Sequence, residues 1–380
     1  MEEELPLPAR WAVQLLGPPL LTLPFIVHEI GYGQTLIQLA AAIGLSWAGF
    51  HCLVEAAHYT MAHSLRELVE KLSGRRLGLV VQGAACLFDV GRAAGLLAVS
   101  SDAVVKIVRN QLGESAHFSQ WEAALAFSGL CFLLCLIPGE KMGGLRKIFS
   151  AAGLFVLTLV FVVLARFAQA AEGGRFEIAA FPGGVRRQFA GFFCYLPAFA
   201  GLYAVHDAIP AQLQRVPGPP APKKGAVRAL LGAAVLVSTL AYGCVGILAG
   251  AVFGENNAPN VFDALLDAPA QTASASGFIG FFYAVYAALL AVGAPLTLEP
   301  RRGELADLFH GYGAGWAVFY SFLLSVLAGA LSLVPSILEL TGLVAALCGF
   351  FVCAVPATLA FYRLPELRAK YRFMDQLKFV

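Results

Sequence analysis

The sequence predicts an all-α integral membrane protein with about ten transmembrane helices, arranged as two inverted halves of five with spans 1 and 6 discontinuous. Three observations carry that prediction. Hydrophobic residues make up 59% of the chain and charged residues only 13%, an apolarity soluble domains rarely reach. Apolar runs long enough to cross a bilayer recur from residue 11 to residue 361. Two of those runs, one opening each half, are interrupted by proline and glycine.

Apolar windows place the spans near 11–32, 35–60, 79–105, 121–138, 145–168, 187–213, 226–253, 276–298, 314–334 and 337–361. The inverted repeats then cover about 11–168 and 187–361 of a single transmembrane domain, and 362–380 forms a short basic tail. Lysine and arginine set the orientation. With a cytosolic amino terminus, 19 of them fall in inner segments and 6 in outer ones, with Arg92 inside a span. That asymmetry puts both termini in the cytosol. Arg186 and Arg187 lie outside, against the trend. Because five is odd, the second half enters the membrane inverted relative to the first, the arrangement of inverted-repeat secondary transporters.

The breaks matter because hydrocarbon offers no partner to a freed backbone group, so broken helix persists only where it lines a cavity or is buried in protein. In span 1 the break is Gly17-Pro18-Pro19; in span 6 it is Pro197 to Gly201. Proline and glycine are also common in ordinary membrane helices, and that reading stays open for either break alone. Two breaks in corresponding places favour a mid-membrane binding site.

Composition excludes several classes. The net charge of +2 gives no basis for a nucleic-acid partner, and none is expected. The eight cysteines lie in apolar segments without metal-ligand spacing, so they read as reduced packing residues. The start Met1-Glu2-Glu3-Glu4 lacks the positive charge of a cleavable signal. No H-E-x-x-H or comparable catalytic set occurs, so an enzyme is not expected.

Charges inside spans are the remaining candidates. Asp89 and Arg92 stand three apart in span 3 and share a helical face, at a depth near the bilayer centre. They read equally as a coupling pair or as a neutralised structural pair. His206 and Asp207 follow the span 6 break; the histidine titrates near neutrality and is a candidate proton carrier, or part of a polar helix end. His51, Glu55 and His58 share a face of span 2, where a polar helix end is favoured over a metal site.

Several segments together resemble the amino acid/auxin permease family. Leu16 to Phe25, LGPPLLTLPF, is similar to its G-x-G-x-L-x-L-P motif. Phe199-Ala200-Gly201-Leu202-Tyr203 resembles its F-x-G-H element. Gly246 to Gly254, Pro295 to Arg301 and Leu340 to Gly349 are similar, in order, to the ends of its spans 7 and 8 and to its glycine-rich span 10. The resemblance covers most of residues 11–361. It departs in ending after ten spans rather than eleven, in placing proline at the second motif glycine, and in placing Leu202 at the histidine.

The resemblance implies a LeuT-like fold and amino-acid transport. It further implies that the substrate carboxylate rests on free amides of broken span 1, here Leu20, Leu21 and Thr22 beside Gly17, where a half-helix amino terminus carries positive partial charge. The ammonium would meet carbonyls near Gly17 and near Phe199, Ala200 and Gly201, and Phe193, Tyr195, Phe199 and Tyr203 would wall an aromatic pocket. Ordinary packing remains the alternative for each aromatic. A sodium site between spans 1 and 8 lacks hydroxyl ligands at 13–16 and 291–294, so proton coupling through Asp89, Arg92, His206 or Asp207 is preferred. The expected partners are an amino acid, a proton and the lipid bilayer, with no cofactor. The location is the plasma membrane or a vacuolar or lysosomal membrane, and an amino-acid sensor on the same scaffold is the competing function.

Overall fold

A computed structural model of the chain describes residues 18–112, 118–137, 157–158, 161, 164–165, 180–253, 261, 273–309, 314–334, 344 and 348–370. The described residues form helices and no strand, as an apolar chain in hydrocarbon must if every backbone group is to be satisfied within its own segment. In chain order we number them α1 (Pro18–Ile30), α2 (Tyr32–Thr60), α3 (Leu65–Ser73), α4 (Arg75–Leu112), α5 (Gln120–Cys135), α6 (Val185–Gly201), α7 (Ile209–Arg215), α8 (Pro220–Phe253), α9 (Ala273–Phe309), α10 (Ala314–Leu331), α11 (Val355–Arg363) and α12 (Pro365–Lys370).

Five stretches are long and apolar enough to cross a membrane: Tyr32–Thr60, Arg75–Arg109, Val185–Arg215, Ala221–Ala251 and Gly277–Ala306. Shorter apolar helices occupy Leu20–Ile30, Gln120–Cys135, Gly315–Leu331 and Phe350–Arg363. These account for nine of the ten predicted spans; the predicted span 5, near 145–168, lies almost wholly outside the described residues.

Helix ends follow local chemistry. Ser119 caps α5 in a reciprocal box, its hydroxyl accepting from the Glu122 amide while the Glu122 carboxylate accepts from the Ser119 amide. Ser64 caps α3. Gly31, at a φ of 82°, turns the chain between α1 and α2, a conformation that favours glycine.

The most extensive helix pairing joins α4 to α9, and the Ser100 hydroxyl donates across it to the Ala287 carbonyl at 2.9 Å. Against this scaffold, α1 lies on α8. Gly246 and Gly250 of α8 allow the approach, because a Cβ at Gly246 would stand 2.9 Å from Leu23 Cδ2 and one at Gly250 would stand 3.2 Å from Val27 Cγ1. On the predicted outer side, the Gln34 side chain donates to the Gln188 carbonyl at 2.7 Å and Arg187 pairs with Glu29 at 3.1 Å. Arg187, out of place in the charge count, thus has a local partner on span 1.

Candidate functional site

The first break meets the structure at its outer edge. Within the described residues α1 runs from Pro18, and Pro18 and Pro19 contribute no N–H to it. Gly17 and the preceding half-span lie outside the described residues. A helix leaves only the donors of its first four positions unpaired. Neither proline can offer a substrate an amide, which leaves Leu20, Leu21 and Thr22 as the first residues of α1 that carry one. The side chains of Leu20, Leu21 and Thr22 are all buried.

The second break falls later than the proline suggests. Helix α6 continues through Pro197 to Gly201, and the irregular backbone is 202–205. There the Leu202, Tyr203 and Ala204 amides turn to carbonyls three residues back, Phe199, Ala200 and Gly201. The Val205 amide then closes on the Tyr203 carbonyl at 2.9 Å. A 3₁₀ turn at His206–Ala208 leads into α7. The α-helix therefore tightens before it stops, which withdraws Leu202 from the Ala198 carbonyl it would serve in a continuous ladder.

The aromatic residues divide. Phe199 and Tyr203 are fully buried, and Tyr195 is half-buried. The Tyr203 hydroxyl lies 2.8 Å from Thr239 Oγ1 of α8, and its ring meets Tyr242 edge to face at 6.3 Å. Tyr242 has Tyr286 of α9 and Arg92 of α4 as electrostatic neighbours. Four elements thus converge on one buried tyrosine-rich centre. Phe193, expected in the wall, instead projects outward beside Phe189, their rings 4.9 Å apart. Pro197, Ala200 and Gly201 line a cavity bounded by α2 and by 349–362, to which Tyr203 does not contribute.

The charged residues are tied together by Arg301, which in the sequence stands among the inner-segment cations and closes the Pro295–Arg301 segment. Arg301 lies within α9, nearly enclosed, and its Nε donates to Asp89 Oδ2 at 2.7 Å. Its Nη1 contacts both Glu304 oxygens at 2.8 Å, and its Nη2 contacts Asp207 Oδ2. Arg92 reaches Asp89 Oδ1 at 3.4 Å and stands 5.7 Å over the Phe88 ring. The expected Asp89–Arg92 pair is present, but the shorter bond to Asp89 comes from Arg301. The planar guanidinium presents donors in several directions at once, so one Arg joins span 3, the segment after the span 6 break, and span 8. The available signal was Glu304, three residues after Arg301 at helical spacing.

His206 and Asp207 are adjacent in sequence and separate in space. While Asp207 faces Arg301, the His206 ring packs on Phe50 at 4.5 Å, and a Cβ on Gly49 would stand 2.8 Å from its Nε2. The span 2 group resolves differently again: Glu55 is buried and paired with Lys224 at 2.9 Å and with Arg228. Among the described residues no group of three or more His, Cys, Asp or Glu is placed to hold a metal.

Comparison with known proteins fits this geometry. The family model described as transmembrane amino acid transporter protein matches residues 10–367. No curated protein matches the chain by sequence. Among solved structures, MhsT in complex with L-phenylalanine superposes with a TM-score of 0.62 at 14% identity, over 95% of this chain and 89% of that one. A mutant of the Eremococcus coleocola manganese transporter gives 0.56 at 13% identity, over 92% and 77%. At such identities the likeness speaks to the fold, which is LeuT-like. With the match spanning nearly its whole length, the chain belongs to the transmembrane amino acid transporter family.

Proposed function

We propose that the chain is a secondary active amino-acid transporter that works by alternating access and moves a proton with its substrate. The observations that carry this reading are the family match over residues 10–367 and the interruption of span 6 at 202–205. The carboxylate would rest on the Leu20 amide and on that of Gly17, and the ammonium on carbonyls released at the second break, Ala198 foremost. Tyr203, Tyr242 and Tyr286 supply the aromatic ceiling that favours an apolar side chain.

Asp207 lies just past the second break and is held by Arg301 to the α4–α9 scaffold. Its protonation would replace the ion pair by a weaker contact between the Arg301 guanidinium and a neutral carboxyl, and free the inner part of span 6 to swing. That assigns the coupled proton to the Asp89–Asp207–Arg301–Glu304 cluster, with Arg92 at its edge. The lysine and arginine asymmetry supports both termini on the cytosolic side.

Purified chain in proteoliposomes, given a panel of amino acids with and without an inward proton gradient, tests the proposal. Saturable uptake accelerated by the gradient is expected. Saturable binding without flux would replace transport by a sensor, and flux indifferent to the gradient would remove the proton. Immunolocalisation distinguishes the plasma membrane from a vacuolar or lysosomal one.

A further inference from the structure

Arg301 holds three carboxylates that differ in their access to water. The side chains of Asp89 and Asp207 are 3% and 7% exposed, whereas that of Glu304 is 25% exposed. Two nitrogens of one guanidinium serve the last two. Nη2 contacts Asp207 Oδ2, and Nη1 contacts both Glu304 oxygens at 2.8 Å. Asp207 and Glu304 are therefore neighbours across Arg301, one enclosed and one partly open.

A narrow crevice reaches both of them. Asp207, Arg301 and Glu304 line it together with Arg66 of α3 and with Gln82 and Ala85 of α4. Its volume is about 10 Å³, enough for about one water, and its polar walls offer the several partners a water needs. The lysine and arginine asymmetry supports a cytosolic position for α3, which follows span 2. Other charged or titratable groups face the pair from each neighbouring element. They are Arg66, itself paired with Glu70 at 2.7 Å, from α3; Cys86, Asp89 and Arg92 from α4; and His206 and Cys353 beside Asp207. Of the acids bound to Arg301, Glu304 is the one that combines the crevice with a quarter of its side chain open to water.

We propose that Glu304 is the residue through which the coupled proton leaves for the cytosol, a step that rests on the assignment of that proton to Asp207. Asp207 gives its proton to a water in the crevice, and that water passes one on to Glu304. Glu304 then loses it to bulk water, and both carboxylates face Arg301 again as anions. The guanidinium cannot carry the proton itself, because it does not deprotonate in proteins. Its part is to hold donor and acceptor side by side. Acids in series are the usual means of moving a proton inside a membrane protein, and a bridging water serves nearly as well as a direct bond.

The test compares net uptake with substrate exchange in proteoliposomes of the full chain, since exchange can proceed with the proton retained. Glu304→Gln should lower the ratio of net uptake to exchange about tenfold or more, the scale of a positioned acid–base group. Its net uptake should also slow more in D2O than that of the parent, because proton release has become rate-limiting. Glu304→Asp should recover most of the ratio. Ala85→Val, which fills the crevice from α4, should lower the ratio independently, and melting curves show which variants fold. An unchanged ratio in Glu304→Gln, or in Ala85→Val should the first not fold, overturns the proposal and leaves Asp207 as the coupled carboxylate. Parent uptake indifferent to an inward proton gradient overturns it together with the coupling itself.

Discussion

The Arg301 Nε donates to Asp89 Oδ2 at 2.7 Å, joining two residues 212 positions apart in sequence and fastening span 8 to span 3. Both are nearly enclosed. Removing one partner of a buried pair leaves an uncompensated charge, so Arg301→Ala should destabilise the chain by about 3–5 kcal/mol. Arg301→Lys should fall between, because an ammonium cannot reproduce the fork that serves Asp89, Glu304 and Asp207 together. Chemical denaturation in detergent measures the first effect. Uptake at graded external pH measures the coupling role: Asp207→Asn should retain exchange and lose acceleration by acid.

A second prediction concerns the prolines that open α1. Replacing Pro19 by alanine restores a backbone N–H in a helical first turn without introducing a poor helix former. If the substrate carboxylate sits there, Pro19→Ala should lower KM by up to about tenfold, the value of one charge-assisted hydrogen bond. The gain should vanish for amine competitors that lack the carboxylate. Competition for labelled amino-acid uptake separates the two.

Much of this architecture was legible because hydrocarbon imposes it. Long apolar runs must become helices, and nine of the ten predicted spans coincide with apolar helices. The second break lies four or five residues beyond the predicted one: Pro197 is the loudest local signal, yet the helix runs through it. What stops α6 is the backbone turning to bonds three residues back after Gly201, a choice made in the packed protein rather than by one residue type. The Arg301 hub was hidden for a different reason. A lysine and arginine count treats every cation near a span end alike, and cannot tell a half-buried Arg302 from an Arg301 enclosed by Glu304 of its own helix and by Asp89 and Asp207 from distant segments.

Glycine spacing in α8 gives a third prediction. Gly246→Ala places a Cβ 2.9 Å from both Cγ and Cδ2 of Leu23, on the helix proposed to cradle substrate. The shift required should cost about 1–3 kcal/mol and slow uptake by displacing α1. Gly243→Ala, on the same helix with nothing within 4 Å of the added carbon, is the matched control and should leave both unchanged. Melting temperature and initial uptake rate, measured together, separate a general helix effect from the specific clash.

The last prediction concerns pH and lies outside the spans. Burial alone would raise the Glu67 carboxyl, but the Lys71 ammonium and the His63 amide bond to it and hold it below the usual carboxylate range. A carboxyl depressed in the folded state favours folding above its unfolded pKa, and that contribution fades as pH falls through the lowered folded value. Glu67→Gln should therefore melt below the parent at neutral pH, with the gap narrowing steadily as the medium is acidified past the carboxylate range. Because Lys71 and Glu67 are both partly solvated, the gap should also shrink with added salt. A gap independent of both pH and salt would assign the effect to packing of α3 rather than to charge.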